Sequence, residues 1–388
     1  MHDVAVIGLG AAGAATLHAL TQRGVDVVGV DRFSPPHAMG SSHGETRMLR
    51  VAYGEGAGYT PLAARARTLW RQLEAQTGAV LFEQTGLVYA GPRDSAFLAE
   101  TWRSGEAHDL GLRRLPTGAR DGLGFEVPAD WQVIEEPGAG FLWAERAIAT
   151  LLEDARRRGA RIVTDDPASS IETTAGGLAI PTAAGPIRAR RLIVCAGGWT
   201  ASLIPALAAV LSVERRTIHW FDDPRSRFSP AAGFRPFYIE DISGTAVYGL
   251  PNASGAGIKI GEHLEGQPTA GPDGIERAVS ATDEDRIRAL ASRWFARLGP
   301  IRASQVCLYP MSRDQDFIVD RLPGEPRITV VCGLSGHGFK FAPALGEAAA
   351  ALALDEAPPL DMDMFKLARF GPSPPRPPRP GPPAPASP

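Results

Sequence analysis

The hydrophobic pattern of the first 31 residues changes period twice. Residues 4–7 and 25–30 are short apolar runs, and residues 14–23 between them have the spacing of a helix. Continuous apolar runs are typical of parallel strands that are buried on both faces. Gly24 stands where the helix would end. The pattern therefore predicts a strand–helix–strand unit.

Apolar periodicity predicts further elements, although residues 80–138 show only short strand-like runs among many turn residues. The predicted helices cover residues 61–76, 147–158, 283–298 and 343–353. The predicted strands cover residues 161–163, 178–194 with a hairpin, several runs within 217–260, and 328–332. Strands that alternate with helices in this way predict an α/β protein.

Length and charge narrow the class of protein. A chain of 388 residues is long enough for about two domains. Its 40 basic and 43 acidic residues give a net charge of -3, so we expect no nucleic acid partner. The sequence has no run of 18 apolar residues, so we expect no transmembrane helix.

The N-terminus and the cysteines predict a cytoplasmic protein. The chain enters its first strand-like run without the pattern of a secretory signal. Three cysteines are too few for a disulfide scaffold, and their spacing is not that of a metal site. We therefore expect a reducing compartment and no metal.

Lysine is rare in this chain. Among the 40 basic residues, the lysines are Lys259, Lys340 and Lys366. A coding bias toward arginine is the ordinary explanation. Where arginine is the usual cation, a position that remains lysine can also mark a need for a compact or titratable amine.

A glycine motif follows the first predicted strand. Gly8, Gly10 and Gly13 form GxGxxG, and Asp31 lies at the end of the second strand. The first two glycines allow a tight turn and a close approach to a pyrophosphate, and the third lets the helix pack on the strand. Asp31 is expected to accept hydrogen bonds from a ribose, and its charge disfavours NADP. The motif alone does not distinguish FAD from NAD.

Three later segments distinguish between these two cofactors. They are residues 40–50 (GSSHGETRMLR), 307–309 (CLY) and 333–341 (GLSGHGFKF). Together with residues 52–56 (AYGEG) and 258–263 (IKIGEH), they make the chain resemble the monomeric sarcosine oxidase and N-methyltryptophan oxidase family of D-amino-acid-oxidase-like flavoproteins. The resemblance covers the chain except for its C-terminal tail.

The resemblance implies two domains within the α/β fold. A discontinuous Rossmann-like FAD-binding domain is expected over residues 1–80, 139–210 and 313–370. A mixed-sheet substrate domain is expected over residues 81–138 and 211–312. Ten of the 18 residues in 371–388 are proline, so this tail is expected to be disordered or polyproline-like.

The resemblance implies FAD joined covalently to Cys307 through the 8α-methyl carbon of the flavin. A thiolate can add to an electrophilic form of the flavin, and thiolates form in cationic surroundings. From the residues alone, an inert buried cysteine is the commoner case. The family pattern, with Tyr309 nearby, reverses that preference. Cys195 and Cys332 lie in apolar runs and are expected to be packing residues.

The resemblance also assigns contacts to substrate and cofactor. Arg50 and Lys340 are expected to bind the substrate carboxylate, since a desolvated carboxylate needs cationic partners. Arg47 and His43 are expected to lie against the flavin. The other expected cofactor contacts come from Ser41, Gly336, Gly338 and Lys340.

Lys259 and His263 are expected to act near the reacting atoms. By resemblance, Lys259 lies on the face of the flavin opposite the substrate, where a cation favours electron transfer to O2. His263 lies near the substrate amine, and Tyr248 and Tyr309 line the pocket. For His263 alone, an ordinary core or surface histidine is the commoner case.

The implied reaction is the oxidation of an N-methyl or other secondary amino acid to an imine. The imine hydrolyses to an aldehyde and an amine, and O2 is reduced to H2O2. The expected partners are therefore a small amino acid and O2, and the family is usually monomeric. A cyclic imino acid of the proline or pipecolate type, or a biosynthetic intermediate, could use the same site. A flavin- or NAD-binding module without oxidase activity is the alternative from another class.

Some residues depart from the family pattern. Ser42 stands where the family usually has the first of two histidines. Glu262 and Glu265 flank the expected pocket, and an inward orientation would favour a larger or more cationic substrate than sarcosine. Residues 217–241 match the family poorly, so the identity of the substrate does not follow from the sequence.

Overall fold

The computed structural model describes residues 1–263 and 266–371 of the chain. Numbered along the chain, the strands are β1 (His2–Ile7), β2 (Val27–Val30), β3 (Thr46–Leu49), β4 (Phe82–Glu83), β5 (Leu87–Gly91), β6 (Arg113–Arg114), β7 (Gln132–Glu136), β8 (Gly140–Trp143), β9 (Arg161–Val163), β10 (Glu172–Thr174), β11 (Gly177–Ile180), β12 (Ile187–Val194), β13 (Leu211–Phe221), β14 (Phe237–Glu240), β15 (Ala246–Leu250), β16 (Ile258–Glu262), β17 (Gln267–Pro268), β18 (Ile301–Ser312), β19 (Ile318–Leu322) and β20 (Glu325–Cys332). The α-helices are α1 (Ala11–Gln22), α2 (Tyr59–Thr77), α3 (Ala96–Ala107), α4 (Ala144–Arg157), α5 (Thr200–Leu203), α6 (Ala281–Ser292) and α7 (Ala342–Ala353).

An eight-stranded sheet has a parallel centre. Strand β1 pairs in parallel with β2 on one side and with β12 on the other, so that Val4 lies opposite both Val27 and Arg191. The parallel arrangement continues through β9 beyond β2 and through β20 beyond β12. Strands β10, β11 and β19 pair antiparallel. The strand–helix–strand unit predicted at the start of the chain is confirmed.

Helices α1, α2, α4 and α7 cover one face of this sheet. Their buried side chains belong to one hydrophobic cluster that also includes residues of β1 and β20. Helix α7 contributes mainly alanines to the cluster, and small side chains let two helices approach closely. Helix α7 therefore packs tightly against α1.

The second large sheet has nine strands. Its order is β17-β13-β16-β15-β14-β5-β7-β6, and β18 also pairs with β13. Strands β13 and β18 are antiparallel from Leu211 opposite Ser312 to Phe221 opposite Ile301. Buried aromatic side chains form much of the core beside this sheet. Its strands come from residues 87–136 and 211–312, and the division into domains stays a prediction.

A small third sheet, in the order β3-β8-β4, lies beside these two. Strand β3 pairs antiparallel with β8, so that Arg47 lies opposite Leu142. This pairing fixes the segment that carries Arg47 and is followed by Arg50. The fold as a whole is mixed α/β, as the sequence predicted.

One helix prediction needs correction, and one helix was missed. The helix predicted over residues 283–298 begins at Ala281 and ends at Ser292, because Trp294 and Phe295 turn into the aromatic core instead of continuing the helix. Helix α3 was not predicted. The Ser95 side chain caps it by accepting the Leu98 N–H at 3.1 Å, a signal that the many turn residues of 80–138 obscured.

Two sequence predictions concern the membrane and the tail. Across residues 1–263 and 266–371, no helix is both long enough and apolar enough to cross a membrane. The prediction for residues 371–388 lies outside the described residues, apart from Gly371.

Candidate active site

A cavity of about 480 Å³ lies between the two large sheets. One wall consists of residues at the carboxyl ends of β1, β2, β12 and β20, which is where open α/β sheets bind ligands. The other wall comes from β13, β15 and β18. The predicted site residues that line it are Gly8, Gly10, Asp31, Ser41, Arg47, Arg50, Tyr248, His263, Cys307, Tyr309, Gly336, Gly338 and Lys340. Gly13, His43 and Lys259 lie behind this lining.

The glycine motif shapes one end of the cavity. A Cβ atom at Gly13 would lie 1.7 Å from the carbonyl oxygen of Gly8, so only glycine lets α1 pack this close to the turn. Gly10 is the N-cap residue of α1 and has no side chain with which to cap the helix. The Ala11 N–H donates to Ser42 Oγ at 3.3 Å. The positive end of the α1 dipole thus meets the cavity, as a pyrophosphate requires.

Asp31 stabilises the same end of the cavity. Its Oδ2 accepts the Leu9 N–H at 2.6 Å, and its Oδ1 accepts the Phe33 N–H at 2.8 Å. His37 Nε2 lies 3.4 Å from Asp31 Oδ1. The carboxylate is therefore held rigidly at the end of β2, and its predicted contact with a ribose stays a prediction.

Cys307 lies on β18 and faces the cavity with 1% of its surface exposed. Its Sγ is 3.7 Å from the Ser41 carbonyl oxygen. Burial raises the pKa of the thiol, and the nearby cations Arg47, Lys259 and Arg216 oppose this effect. Burial raises the pKa of Cys195 to about 12, so that thiol stays protonated. Three thiols line the cavity, those of Cys195, Cys307 and Cys332, and Cys307 has the most cationic surroundings of the three.

Arg50 is buried at the opposite end of the cavity and is paired within the chain. Its guanidinium donates to Glu55 and lies 4.1 Å from the centroid of the Tyr53 ring. Although burial acts in the opposite direction, Arg50 holds the pKa of Glu55 well below its ordinary value. A ligand carboxylate would therefore meet a cation that already has one carboxylate partner.

Lys340 is the second cation at this end. Its Nζ donates to the His337 carbonyl oxygen at 2.7 Å and to Tyr53 Oη at 3.2 Å. Burial and the neighbouring Arg50 lower the pKa of Lys340 well below the ordinary lysine value. A carboxylate bound here would stabilise the charged amine, because an opposite charge counteracts both effects.

Lys259 lies behind the lining, on β16. Its Nζ donates to the carbonyl oxygens of Gly44 and Thr46 and to Thr46 Oγ1, the first at 2.7 Å and the last at 2.9 Å. Burial, followed by Arg47, lowers the pKa of Lys259 well below the ordinary value. The amine is thus fixed in position beside residues 44–46.

An aromatic and imidazole wall lies between the two ends. The centroid of His263 is 6.4 Å from that of Tyr248 and 6.3 Å from that of Tyr309. Tyr238 belongs to the same wall, 6.0 Å from His263. Burial lowers the pKa of His263 to about 4, so this ring is neutral at pH 7.

His43 lies in the loop before β3, and Arg47 lies on β3 itself. The Arg47 guanidinium donates to the carbonyl oxygens of Ser41, His43 and Thr46, which lock it against the cavity. His43 Nδ1 lies 3.1 Å from Gln305 Oε1. His43 Nε2 is buried and finds no partner within residues 1–263 and 266–371. Burial lowers the pKa of His43 to about 4.

Gly336 and Gly338 lie in the turn between β20 and α7 and line the cavity. A short 3-10 turn, Phe339–Phe341, follows them and leads directly into α7. Trp70 Nε1 donates to the Lys340 carbonyl oxygen at 2.8 Å and fixes this turn. The amino end of α7 is thus held next to the cavity.

Sequence reasoning missed two charged residues of the site, Glu55 and Arg216. Glu55 stands within the AYGEG segment, but only the structure shows that its side chain returns to Arg50. Arg216 is 6% exposed, and its guanidinium carbon lies 5.0 Å from the centroid of the Tyr309 ring. Arg216 and Glu214 are two residues apart in a strand-like run and therefore share one face of the strand. This charge pattern is the signal that sequence reasoning could have used.

The two acidic residues left open by the sequence have different outcomes. The Glu262 carboxylate accepts two hydrogen bonds from Arg286, at 2.7 and 2.8 Å, and does not line the cavity. Glu265 lies outside the described residues. Glu262 therefore gives no support for a cationic substrate.

These residues fit bound FAD. One cavity contains an uncapped helix N-terminus, which suits a pyrophosphate, together with the Cys307 thiol and the buried cations Arg50 and Lys340. His43 Nε2 is a buried polar atom that lacks a partner within the described part of the chain. The geometry can hold a nucleotide at one end and an anionic small molecule at the other.

Comparisons with known proteins agree with this geometry. The model of the family described as FAD dependent oxidoreductase matches residues 3–352. N-methyl-L-tryptophan oxidase from Yersinia pestis (strain Pestoides F) is 38% identical over 378 residues, which are 95% of this chain and 99% of that protein.

Two solved structures have a similar fold. NikD, an amino acid oxidase of nikkomycin biosynthesis, superposes with a TM-score of 0.83 at 21% identity, covering 94% of this chain and 97% of that one. Glycine oxidase from Geobacillus kaustophilus gives a TM-score of 0.79 at 21% identity, covering 95% and 98%. At these identities the likeness concerns the fold.

Proposed function

The chain belongs to the family of FAD-dependent oxidoreductases, and we propose that it oxidises the secondary amine of an N-methyl amino acid. The product would be an imine that hydrolyses to an aldehyde and an amine, and O2 would be reduced to H2O2. The observation that supports this most is one cavity lined by the GxGxxG turn, by Cys307 and by the buried cations Arg50 and Lys340. Such a cavity would hold an amino acid carboxylate beside the cofactor.

The carboxylate of the substrate would bind between Arg50 and Lys340. Charge-assisted hydrogen bonds are the strong ones in a desolvated site, and both cations are buried. In the structure Arg50 donates to Glu55. To bind the substrate carboxylate, the Arg50 guanidinium must therefore use its other N–H groups or release Glu55. This arrangement orients the amine toward the aromatic wall of Tyr248 and Tyr309.

The walls favour an apolar substrate side chain larger than that of sarcosine. Met48, Ile218, Tyr238 and Leu250 line the same cavity as the two cations. His263 is neutral at pH 7 because burial lowers its pKa to about 4, so it adds no charge at the amine. The related protein from Yersinia pestis is named for N-methyl-L-tryptophan, whose side chain suits such walls.

Bound FAD would accept two electrons from the amine and pass them to O2, which is chemistry that the cofactor supplies. The chain's own residues would position these reactants. Arg50 and Lys340 would hold the carboxylate, and the Lys259 amine would provide a fixed positive charge where O2 is reduced. Arg47 would lie along the cofactor, held by three carbonyl oxygens.

Covalent attachment of the flavin at Cys307 is part of the proposal. The buried thiol lines the cavity and lies near three cations. Wild-type protein precipitated with acid should keep its yellow flavin, and Cys307→Ser should release it. Acid-stable flavin in the serine variant would contradict this assignment.

A peroxide assay tests the reaction and the substrate together. Purified protein should release H2O2 with N-methyl amino acids, fastest with large apolar side chains. Faster turnover of proline or pipecolate would favour the cyclic imino acid alternative. A lack of peroxide and O2 uptake over the whole panel would contradict the oxidase function and leave a flavin-binding module.

A monomer is the proposed oligomeric state. Within the described residues, the exposed large hydrophobic side chains are Met1, Val80 and Ile242, which stand apart in the sequence. Scattered single residues of this kind do not form an association surface. Light scattering during size-exclusion chromatography should give the mass of one 41.1 kDa chain.

A further inference from the structure

Arg216 and Cys307 face each other on neighbouring strands. In the antiparallel pair of β13 and β18, Arg216 lies opposite Cys307 and Glu214 lies opposite Tyr309. Directly opposed residues project from the same face of a sheet, with Cβ atoms about 5 Å apart. Arg216 therefore shares a face with the thiol that is proposed to bind the flavin, and leans along the strand onto Tyr309.

The charge of Arg216 is only partly compensated. Its Nη2 donates to Glu214 at 2.5 Å, while Nε and Nη1 are buried and find no acceptor in residues 1–263 and 266–371. Glu214 is 22% exposed, so water screens the carboxylate more than it screens the guanidinium. A Cβ atom at Gly266 would lie 2.4 Å from Arg216 Nε, which shows how closely the backbone covers the cation.

The other cations beside Cys307 are differently placed. Arg47, on β3, donates to three backbone carbonyl oxygens, and Lys259, on β16, donates to three oxygens of residues 44–46. The hydroxyls of Tyr248 and Tyr309 also lie near the thiol, and the carboxylates of Glu45 and Glu145 partly offset the charge of Lys259. Both tyrosines are protonated, because burial raises the pKa of each. Arg216 differs from both cations in having a charged partner, Glu214, and two buried nitrogens without an acceptor in residues 1–263 and 266–371.

We propose that Arg216 is a positioning residue for covalent attachment of the flavin: its guanidinium, opposite Cys307 on β13, provides positive charge that favours the reactive thiolate. This inference rests on the proposed covalent flavin. In the step, the thiolate sulfur bonds to the 8α-carbon, which has lost one proton. The electron pair of the new bond leaves the ring system two-electron reduced. O2 then reoxidises the ring system, and the protons lost by the thiol and by the 8α-carbon end in H2O2.

The test measures attachment itself and not turnover. Full-length apoprotein, produced under riboflavin limitation, is mixed with FAD in air, and acid-stable flavin is followed with time between pH 6 and pH 10. Arg216→Gln keeps a donor for Glu214 but removes the charge. It should slow attachment at pH 7 about tenfold, the change in thiolate fraction for one unit of thiol pKa. The difference in attachment rate between Arg216→Gln and wild type should shrink as the pH rises, because the thiol then ionises without a neighbouring cation.

Arg215→Gln is the matched control. Arg215 is the neighbouring residue of β13, is 8% exposed and projects from the opposite face, where Asp283 pairs with it. This variant should lose stability but attach FAD at the wild-type rate. Arg216→Lys, which keeps a charge, should attach FAD faster than Arg216→Gln.

The outcomes separate this inference from the proposed function. An Arg216→Gln variant that attaches FAD as fast as wild type, or is slowed equally at every pH, would overturn the role of Arg216. If that variant does not fold, Glu214→Gln decides: removal of the neutralising carboxylate should speed attachment at pH 7, and an unchanged or slower rate would overturn the role. If wild type binds no acid-stable flavin, the covalent proposal itself is wrong, while the peroxide assay still tests the oxidase.

Discussion

Lys259 and Lys340 are two of the three lysines in the chain, and the structure buries both against the candidate site. Lys366 is half exposed and pairs with Asp363 at the surface. A buried amine costs solvation energy unless oxygen atoms surround it, as they do at both buried sites. The three lysines therefore offer a matched set of substitutions.

Lys259→Met should slow the oxidation of reduced flavin by O2 on the order of 100-fold, the usual effect of removing one charge that stabilises a developing anion. Reduction of the flavin by substrate should change much less. Stopped-flow measurement of the two half-reactions separates these effects. Lys366→Met serves as the control and should alter neither half-reaction. Reoxidation at the wild-type rate in Lys259→Met would contradict the assignment.

The same lysine predicts a pH dependence. Burial and Arg47 lower the pKa of Lys259, so its positive charge is present below that lowered value and is lost as the pH rises through it. The reoxidation rate of wild type should therefore fall with rising pH, at a pH below the ordinary lysine pKa of about 10.4. Lys259→Met should show no such fall.

Lys340→Met should weaken substrate binding rather than the reaction with O2. Loss of one charge-assisted hydrogen bond costs about 1.5–3 kcal/mol, which corresponds to a rise of about 10- to 100-fold in the dissociation constant of the substrate. Binding of a carboxylate inhibitor, followed through the flavin spectrum, measures this directly. An unchanged dissociation constant would place the carboxylate elsewhere.

At the scale of elements, the first strand–helix–strand unit has the tightest geometric requirement. A Cβ atom at Gly13 would meet the Gly8 carbonyl oxygen at 1.7 Å, whereas one at Gly24 would meet nothing within 4 Å. Gly13→Ala should therefore displace α1 from the turn and abolish FAD binding. Gly24→Ala should cost only about 1 kcal/mol for its positive φ and should keep FAD. Flavin content and thermal unfolding distinguish the two variants.

The elements also show where periodicity succeeded and where it failed. The short apolar runs of β1, β2 and β20 and the helices α2, α4 and α7 lie close to their predicted positions. Helix α6 ends early because Trp294 and Phe295 bury their rings in the aromatic core. Tertiary packing overrode a pattern that local spacing alone would have continued.

For the whole molecule, the cavity lies between two sheets, so a bound cofactor should tie them together. In Cys307→Ser the flavin would be bound without a covalent bond, and free FAD should then raise the melting temperature. At an FAD concentration 100 times the dissociation constant, the stabilisation amounts to about 2.7 kcal/mol. Wild type that already holds covalent flavin should show no dependence on free FAD. Equal responses of the two proteins would argue against covalent attachment.

The amino-acid sequence by itself determined the class of this protein. GxGxxG with Asp31 requires a particular backbone path, because glycine positions and strand–helix order are local properties. The segments with Arg50, Cys307 and Lys340 pointed to a flavoenzyme through resemblance, and the family match confirmed that class.

Only the tertiary structure decided which charges meet. Arg50 pairs with Glu55, and Glu262 pairs with Arg286. Arg216 lies opposite Cys307 on the neighbouring strand. None of these contacts follows from spacing, because each depends on strand register and on burial. Both are set by the packing of the two sheets around the cavity, and burial determines how far each charge acts.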